Sequence, residues 1–286
     1  MPGEKADVVL IQPPGWAKHN PPLGLALLKS YLGQSGIKCK VFDLNIILYN
    51  LRHGIYSGAW ELSNGYYTWE KESYVKQLFS FYSYEIFNLL HSILLLQPRV
   101  IGLSVHCSSF ISSKLLAFKI KQLSLQTKVI LGGPQVADYA DFWRPLLKDG
   151  NIDAVVFGEG EESLSQYLRA DTQNSDIPIE GVAYKNNKGQ TIKGPSRHSI
   201  IPLDSLPFAD FSDFDLRSYF GVDVLPTYFS RGCINKCIYC TENKFFPGFR
   251  SRGGQRVFDE IVHQLSLYPK TQYFRMHDSI SNGNIR

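Results

Sequence analysis

Short apolar runs alternate with amphipathic stretches along the first 170 residues. Residues 8–12, 38–44, 100–105, 129–131 and 154–157 are strand-length runs rich in Val, Ile and Leu, and they read as buried strands. Between the first two, Leu23, Leu27, Leu28, Tyr31 and Leu32 recur at helical spacing and Gly33 stops them, so residues 23–33 read as a helix opened by a Pro- and Gly-rich loop. Residues 114–125, a stretch around 141–148, and residues 161–168 read as further helices. Strands alternating with helices predict parallel βαβ units, hence an α/β fold with a doubly wound sheet covered on both faces. One crossover is longer than the others. Residues 44–98 are dense in Tyr, Trp and Phe and predict a helical insertion, its last helix running from about 72 to 96, with the aromatics read as packing core.

The pattern changes after residue 170. Pro178, Pro195, Pro202, Pro207 and Pro226 punctuate short strand-like pieces, so residues 171–225 read as an ordered linker with a small hairpin. A strand at 227–230, a cysteine-rich loop, a helix at about 255–268 and a strand at 272–276 follow. The predicted domains are therefore 1–170, carrying the insertion 44–98, then the linker 171–225, then 226–286.

Composition narrows the partners. A net charge of +4 over 286 residues does not make the dense basic stripe that nucleic acid calls for. The polar start leads straight into a strand-length run, and the most apolar later stretch, 86–96, is interrupted by Asn88 and His91. Neither has the length of a signal peptide or a bilayer span. The expectation is a cytoplasmic protein with no nucleic-acid or membrane partner.

Five cysteines are present, three of them within eight residues. Cys39 and Cys107 stand alone in apolar surroundings and read as small buried hydrophobes. The segment from Ser230 to Cys240 places Cys233, Cys237 and Cys240 in a C-x3-C-x2-C spacing directly after a strand. Three thiolates on one tight loop suit three irons of a [4Fe–4S] cube and leave the fourth iron open. The other reading is structural zinc, which wants a fourth ligand; His263 or His277 would have to supply it, and neither sits in a zinc-knuckle pattern.

The C-x3-C-x-aromatic-C segment resembles the signature of the radical S-adenosylmethionine (SAM) superfamily. That resemblance implies Cys233, Cys237 and Cys240 as cluster ligands and Tyr239 beside the adenine of SAM, although an aromatic there also serves simply to shield a cluster. It implies Asp278 as a SAM contact after the next strand. It further implies a 5′-deoxyadenosyl radical made from SAM, and an external electron donor such as flavodoxin or ferredoxin.

A second resemblance covers roughly residues 5–170. Pro22-Leu23-Gly24 opens the first helix, Ser104 ends the third strand, Gly132-Gly133-Pro134 follows the fourth, and Gly158-Glu159-Gly160 follows the fifth. In an open parallel sheet, ligands bind at the carboxyl ends of the strands, where glycine lets backbone approach a bulky group. Alone, each piece is also a plain turn or helix start. In this order, upstream of the cysteine loop, they resemble the cobalamin-binding domain that precedes the radical SAM domain in one large subgroup. The Asp-x-His-x-x-Gly loop that brings histidine to cobalt in other cobalamin proteins is absent: the sequence after the first strand runs from Gln12 to Asn20 without it. His19 and His106 are therefore read as an ordinary loop and an ordinary strand-end histidine.

The combination implies methyl transfer to an unactivated carbon or phosphorus centre, or a cyclisation or rearrangement like that of the anaerobic magnesium-protoporphyrin cyclase. No catalytic residue is singled out, and the substrate, small molecule or peptide, is not readable. About sixty residues follow Pro226, while a barrel takes roughly thirty per βα unit. The expectation is the first units of a partial (β/α) barrel in a truncated chain, with a non-catalytic cobalamin module, or a zinc-stabilised regulatory module, as further readings.

Overall fold

The computed structural model describes residues 4–61, 66–136, 143–173, 175–196, 201–221, 223–246, 248–281 and 283. The apolar runs become β1 (Val8–Gln12), β2 (Cys39–Asp43), β3 (Val100–Ser104), β4 (Lys128–Gly132) and β5 (Ala154–Val156), parallel in the order β2-β1-β3-β4-β5. Leu10 sits between Val41 and Gly102, and Ser104 pairs with Gly132. Every residue of β1 is buried, which requires cover on both faces of the sheet.

That cover comes from the crossovers. α1 (Leu23–Gln34) joins β1 to β2; α2 (Leu44–Leu51), α3 (Glu72–Phe81) and α4 (Ser83–Leu94) lie between β2 and β3; α5 (Phe110–Leu123) and α6 (Trp143–Lys148) join the next strands. α7 (Gly160–Thr172) follows β5. α2 starts where it does because the buried Asp43 carboxylate accepts the Ile46 N–H at 2.9 Å, an N-cap.

The single helix expected over 72–96 is two. Tyr82 turns the chain between α3 and α4, burying its ring and bringing its hydroxyl 3.1 Å from the His53 N–H. The helix expected from 114 begins earlier, at Phe110, fed by a tight turn at Cys107–Ser109. Asp141 and its neighbour Phe142, where the next helix is expected to begin, lie outside the described residues. Tyr49, Tyr56, Trp60, Trp69, Phe79 and Tyr82 of the insertion are buried as a core, as their density predicts.

The hairpin β6 (Val182–Lys185) and β7 (Thr191–Lys193) lies in the segment read as a linker. It extends the main sheet, β6 running antiparallel to β5, so the sheet has seven strands. Beyond it, β8 (Val224–Thr227) leads to β9 (Ser230–Arg231) and the cysteine loop. The short α8 (Glu242–Phe245) and β10 (Arg250–Ser251), antiparallel to β9, close that loop. α9 (Gly254–Leu267) then carries the chain to β11 (Tyr273–Met276), parallel to β8, which makes one further βαβ unit. No helix among the described residues is long and apolar enough to cross a membrane.

Candidate functional site

Side chains alternate across a strand, so one face of the sheet carries Leu10 and Gln12 of β1, Gly102 and Ser104 of β3, and Ile130 and Gly132 of β4. α1 and α7 cover this face with Leu23, Leu27, Leu28 and Leu164. Between the two layers lies a cavity of about 480 Å³, opening at the carboxyl ends of the strands. All ten residues singled out in the amino-terminal half line it: Pro22, Leu23 and Gly24; Ser104; Gly132, Gly133 and Pro134; Gly158, Glu159 and Gly160. They come from four separate stretches of chain, and the parallel topology gathers them because every strand of the unit ends on the same side.

Two glycines show what the cavity requires. Gly133 has φ +112°, and a Cβ there would lie 2.7 Å from the Val105 carbonyl oxygen, so only glycine lets the β3 and β4 ends touch. At Gly24, a Cβ would meet nothing within 4 Å: this residue leaves space in the cavity wall. The loop after β1 is held by Asn45, which is fully buried. Its Oδ1 accepts from the Gly15 N–H, the Trp16 N–H (both 3.1 Å) and Trp60 Nε1 (2.8 Å), and its Nδ2 donates to the Ala17 carbonyl at 3.1 Å. Trp16, so fixed, lines the cavity and stacks on His106 with ring centroids 3.6 Å apart.

The second half of the chain forms the rest of the wall, through Tyr228, Ser230, Arg231, Phe245, Phe246 and His277 among others. Buried ion pairs join the halves. Arg231 reaches Glu159 and Glu161, both at 2.6 Å, and Arg250 also pairs with Glu159. Arg231 is two residues ahead of Cys233. Arg252 pairs with Glu260 at 2.6 Å and lies 4.6 Å from the Tyr228 ring centroid. In the wall, His277 Nε2 is 3.1 Å from Asn20 Nδ2; burial, and then Arg275, hold its pKa below the ordinary histidine value against the pull of Asp278.

The cysteine loop projects from this rim. Gly232 turns into it at φ +79°, where a Cβ would collide with the Gly248 carbonyl. Cys237 and Cys240 are exposed, Cys233 is half-buried, and its sulfur lies 3.4 Å from the Asn235 N–H. Among the described residues no three His, Cys, Asp or Glu side chains are already gathered as a metal site.

No family model matches the chain. Over 218 residues it is 28% identical to cytidylyl-2-hydroxyethylphosphonate methyltransferase of Streptomyces wedmorensis, covering 65% of this chain and 40% of that one. Over 177 residues it is 26% identical to the anaerobic magnesium-protoporphyrin IX monomethyl ester cyclase of Rubrivivax gelatinosus, covering 58% and 31%. Its fold matches the radical SAM methyltransferase TsrM of Kitasatospora setae with a TM-score of 0.60 at 18% identity, over 96% of this chain and 48% of that one. It also matches OxsB, a cobalamin-dependent SAM radical enzyme, with a TM-score of 0.63 at 18% identity, over 99% and 35%. The chain is thus similar in sequence to a methyltransferase and a cyclase, and in fold to two radical SAM enzymes. It spans less than half the length of each of these relatives.

The structure separates the expected site residues. The ten amino-terminal ones meet in the cavity, but the Glu159 carboxylate is spent on Arg231 and Arg250 and not on the open space. Asp278 is likewise engaged: it accepts from the Phe229 N–H at 2.9 Å, the Ser230 N–H, and the Ser230 hydroxyl at 2.7 Å. It fixes the bend between β8 and β9 from which the cysteine loop starts. Tyr239 is 86% exposed at the loop's tip.

His19 is not part of the cavity wall, while His106, read as an ordinary strand-end residue, is. Sequence reasoning also passed over Gln12, Trp16 and Arg231. Gln12 was findable as the polar last residue of an otherwise apolar strand. The partners of Trp16 and Arg231 lie some 70 to 90 residues away and left no local signal.

Proposed function

We propose that this chain holds cobalamin in the cavity between the sheet and α1 and α7, and a [4Fe–4S] cluster with SAM at Cys233, Cys237 and Cys240. The protein would use them for methyl transfer to an unactivated carbon or phosphorus centre. The observation that carries this reading is the convergence of four motif stretches on one cavity whose rim leads, through Arg231, into the cysteine loop.

The residues present fit such groups. Gly24 leaves open space in the cavity wall, which is otherwise lined largely by apolar side chains and glycines. The cysteine loop offers three thiols, the donor set of an open-iron cluster. Of the candidate fourth zinc ligands, His277 is tied to Asn20 in the cavity wall, and His263 packs its ring against Phe208 at 5.3 Å. When bound, cluster and SAM supply a carbon radical and cobalamin supplies a methyl group. The chain's own residues bind and orient. Asp278 holds the root of the cysteine loop, the Glu159–Arg231–Glu161 pairs fix that root against the cavity, and Phe245 and Phe246 line the wall facing the sheet.

An external one-electron donor such as flavodoxin or ferredoxin completes the reading. The cyclase relatives support a ring-forming or rearranging reaction equally well. The β8–α9–β11 unit is read as the start of a partial barrel. Support comes from the apolar side chains it leaves exposed, Phe258 and Val262 of α9 and Tyr273 and Met276 of β11.

The test is anaerobic reconstitution with iron, sulfide and hydroxocobalamin, followed by absorbance and metal counting. About four irons and one cobalt per chain are expected. Iron without cobalt removes the cavity assignment, cobalt without iron leaves a non-catalytic cobalamin module, and zinc alone overturns the cluster.

A further inference from the structure

Where the loop after β1 meets the end of β11, the side chains brought together are mostly hydrogen-bond donors. Arg275 in β11 and His277 just beyond it are two residues apart in extended chain, so they share one side of it. Both meet the side-chain amide of the buried Asn20. Its Nδ2 lies 3.1 Å from His277 Nε2, and its Oδ1 accepts more loosely from Arg275 at 3.5 Å. These contacts fix which way round the amide sits. Nδ2 also donates to the Pro21 carbonyl at 3.2 Å, and a guanidinium can only donate, so the oxygen faces Arg275 and the NH2 faces His277. His277 Nε2 is therefore an acceptor. The ring is neutral, with its proton on Nδ1, and that N–H is left to donate. His19, beside Asn20 in sequence, is close enough for the charges of Arg275 and Lys18 to act on it.

No free anion answers these groups. Arg275 is exposed and makes no ion pair among the described residues. The carboxylates nearby are engaged: Asp278 with the Phe229 and Ser230 amides, Glu61 with Lys18, and Glu242 with the Ser279 hydroxyl. Both histidines register the imbalance. Burial first, and Arg275 next, hold each below the ordinary histidine value; Lys18 adds to this at His19, and Asp278 opposes it at His277. Asn20 and His277 are also part of the cavity wall, so the cluster stands at the edge of the space already described.

We propose that Arg275, His277 and His19 bind a tetrahedral dianion, a phosphate or phosphonate group carried by the substrate. That the group belongs to the substrate rests on the cofactor reading of the cavity; the anion site itself does not. A carboxylate is satisfied by the fork of one arginine and would leave the two imidazoles unused. A phosphate-type group offers three acceptor oxygens, enough for the guanidinium of Arg275, the Nδ1–H of His277 and the ring of His19. Its two negative charges also reverse the repulsion from Arg275, so binding favours a proton on each imidazole. Asn20 acts as a positioning residue, holding Arg275 and His277 by the two ends of one amide.

The experiment is histidine titration of the full chain by NMR, for wild type and Arg275→Gln, in sodium sulfate, sodium acetate and sodium chloride at matched ionic strength. Sulfate is the probe because it stays a tetrahedral dianion throughout the titration. In wild type, sulfate is expected to raise the pKa of His19 and His277 by about one unit over chloride, while His91 of α4, outside the cluster, does not move. In Arg275→Gln, both histidines should titrate higher than in wild type when only chloride is present, because the repulsion is gone, and the sulfate effect should be lost. Sulfate shifts no larger than those in chloride, or equally large in the variant, would leave a solvated basic surface and overturn the site. A shift in acetate as large as that in sulfate would give the cluster to a carboxylate, that of SAM included, and overturn the phosphate-type assignment. The measurement uses the chain without cofactors, so its failure is distinct from a failure to take up iron or cobalt.

Discussion

His106 shows how the cavity sets the chemistry of a single residue. Its ring is stacked on Trp16 and is part of the cavity wall. Burial pushes its pKa down to about 4, because an imidazolium in these surroundings loses its hydration. The folded chain therefore refuses a proton that the unfolded chain accepts at its ordinary value near 6.5. The contribution to stability is complete above that pH and is lost as pH falls from about 6.5 toward 4. At pH 5 the loss amounts to about 2 kcal/mol. Other groups titrate in this range too, so the measurement is a difference. Urea unfolding at pH 7.5 and pH 5, for wild type and His106→Gln, should show wild type losing about 2 kcal/mol more than the variant. Parallel losses would mean that the imidazole protonates freely in the folded state.

At the scale of elements, the union of the two halves depends on charge. β9 and the start of α7 meet through Arg231, Glu159 and Glu161, whose side chains are each less than 10% exposed. Such a cluster is weak evidence of net stability, since desolvation offsets the attraction, but removing one member leaves buried charge uncompensated. Arg231→Met is expected to cost about 3–5 kcal/mol in urea unfolding. Adding Glu161→Gln to it should recover part of the loss, because one of the two buried carboxylates that faced Arg231 is then neutral. A cost under about 1 kcal/mol for Arg231→Met would place the cluster in effective contact with water.

The same cluster marks where the sequence stops being legible. The parallel strands could be read because short apolar runs need no partner to be recognised. The Gly132-Gly133 turn could be read because glycine punctuates. The placement of β6 against β5 could not, since Val182, Ala183 and Tyr184 have no local sign of joining a sheet whose previous strand ends 26 residues earlier. The break at Tyr82 is set by a contact with His53 across the insertion, and the role of Glu159 by arginines 72 and 91 residues away. Each is a long-range choice between locally equivalent outcomes.

On the whole molecule, the two proposed cofactor sites share a wall without sharing residues. The cavity is lined by residues on either side of the cysteine loop, from Tyr228 to Arg231 and from Glu242 to Phe246, and by none from Gly232 to Thr241. The loop itself stands outside, with Ile238 fully exposed. Its root is held independently of any metal, by Asp278 on the Phe229 and Ser230 amides and by Arg231 on α7. Replacing all three cysteines, Cys233→Ser, Cys237→Ser and Cys240→Ser, should therefore abolish iron uptake and leave the cavity intact. A ligand that binds only the folded chain stabilises it by about 2.7 kcal/mol at a hundredfold excess over Kd. For a chain of this size that raises Tm by roughly 5–10 °C. The triple variant should show the same hydroxocobalamin-dependent rise as wild type, concentration for concentration, while its iron count falls to background. A lost or much reduced rise in the variant would show that closing the cysteine loop completes the cavity, so that the metal site organises the corrinoid site rather than standing beside it.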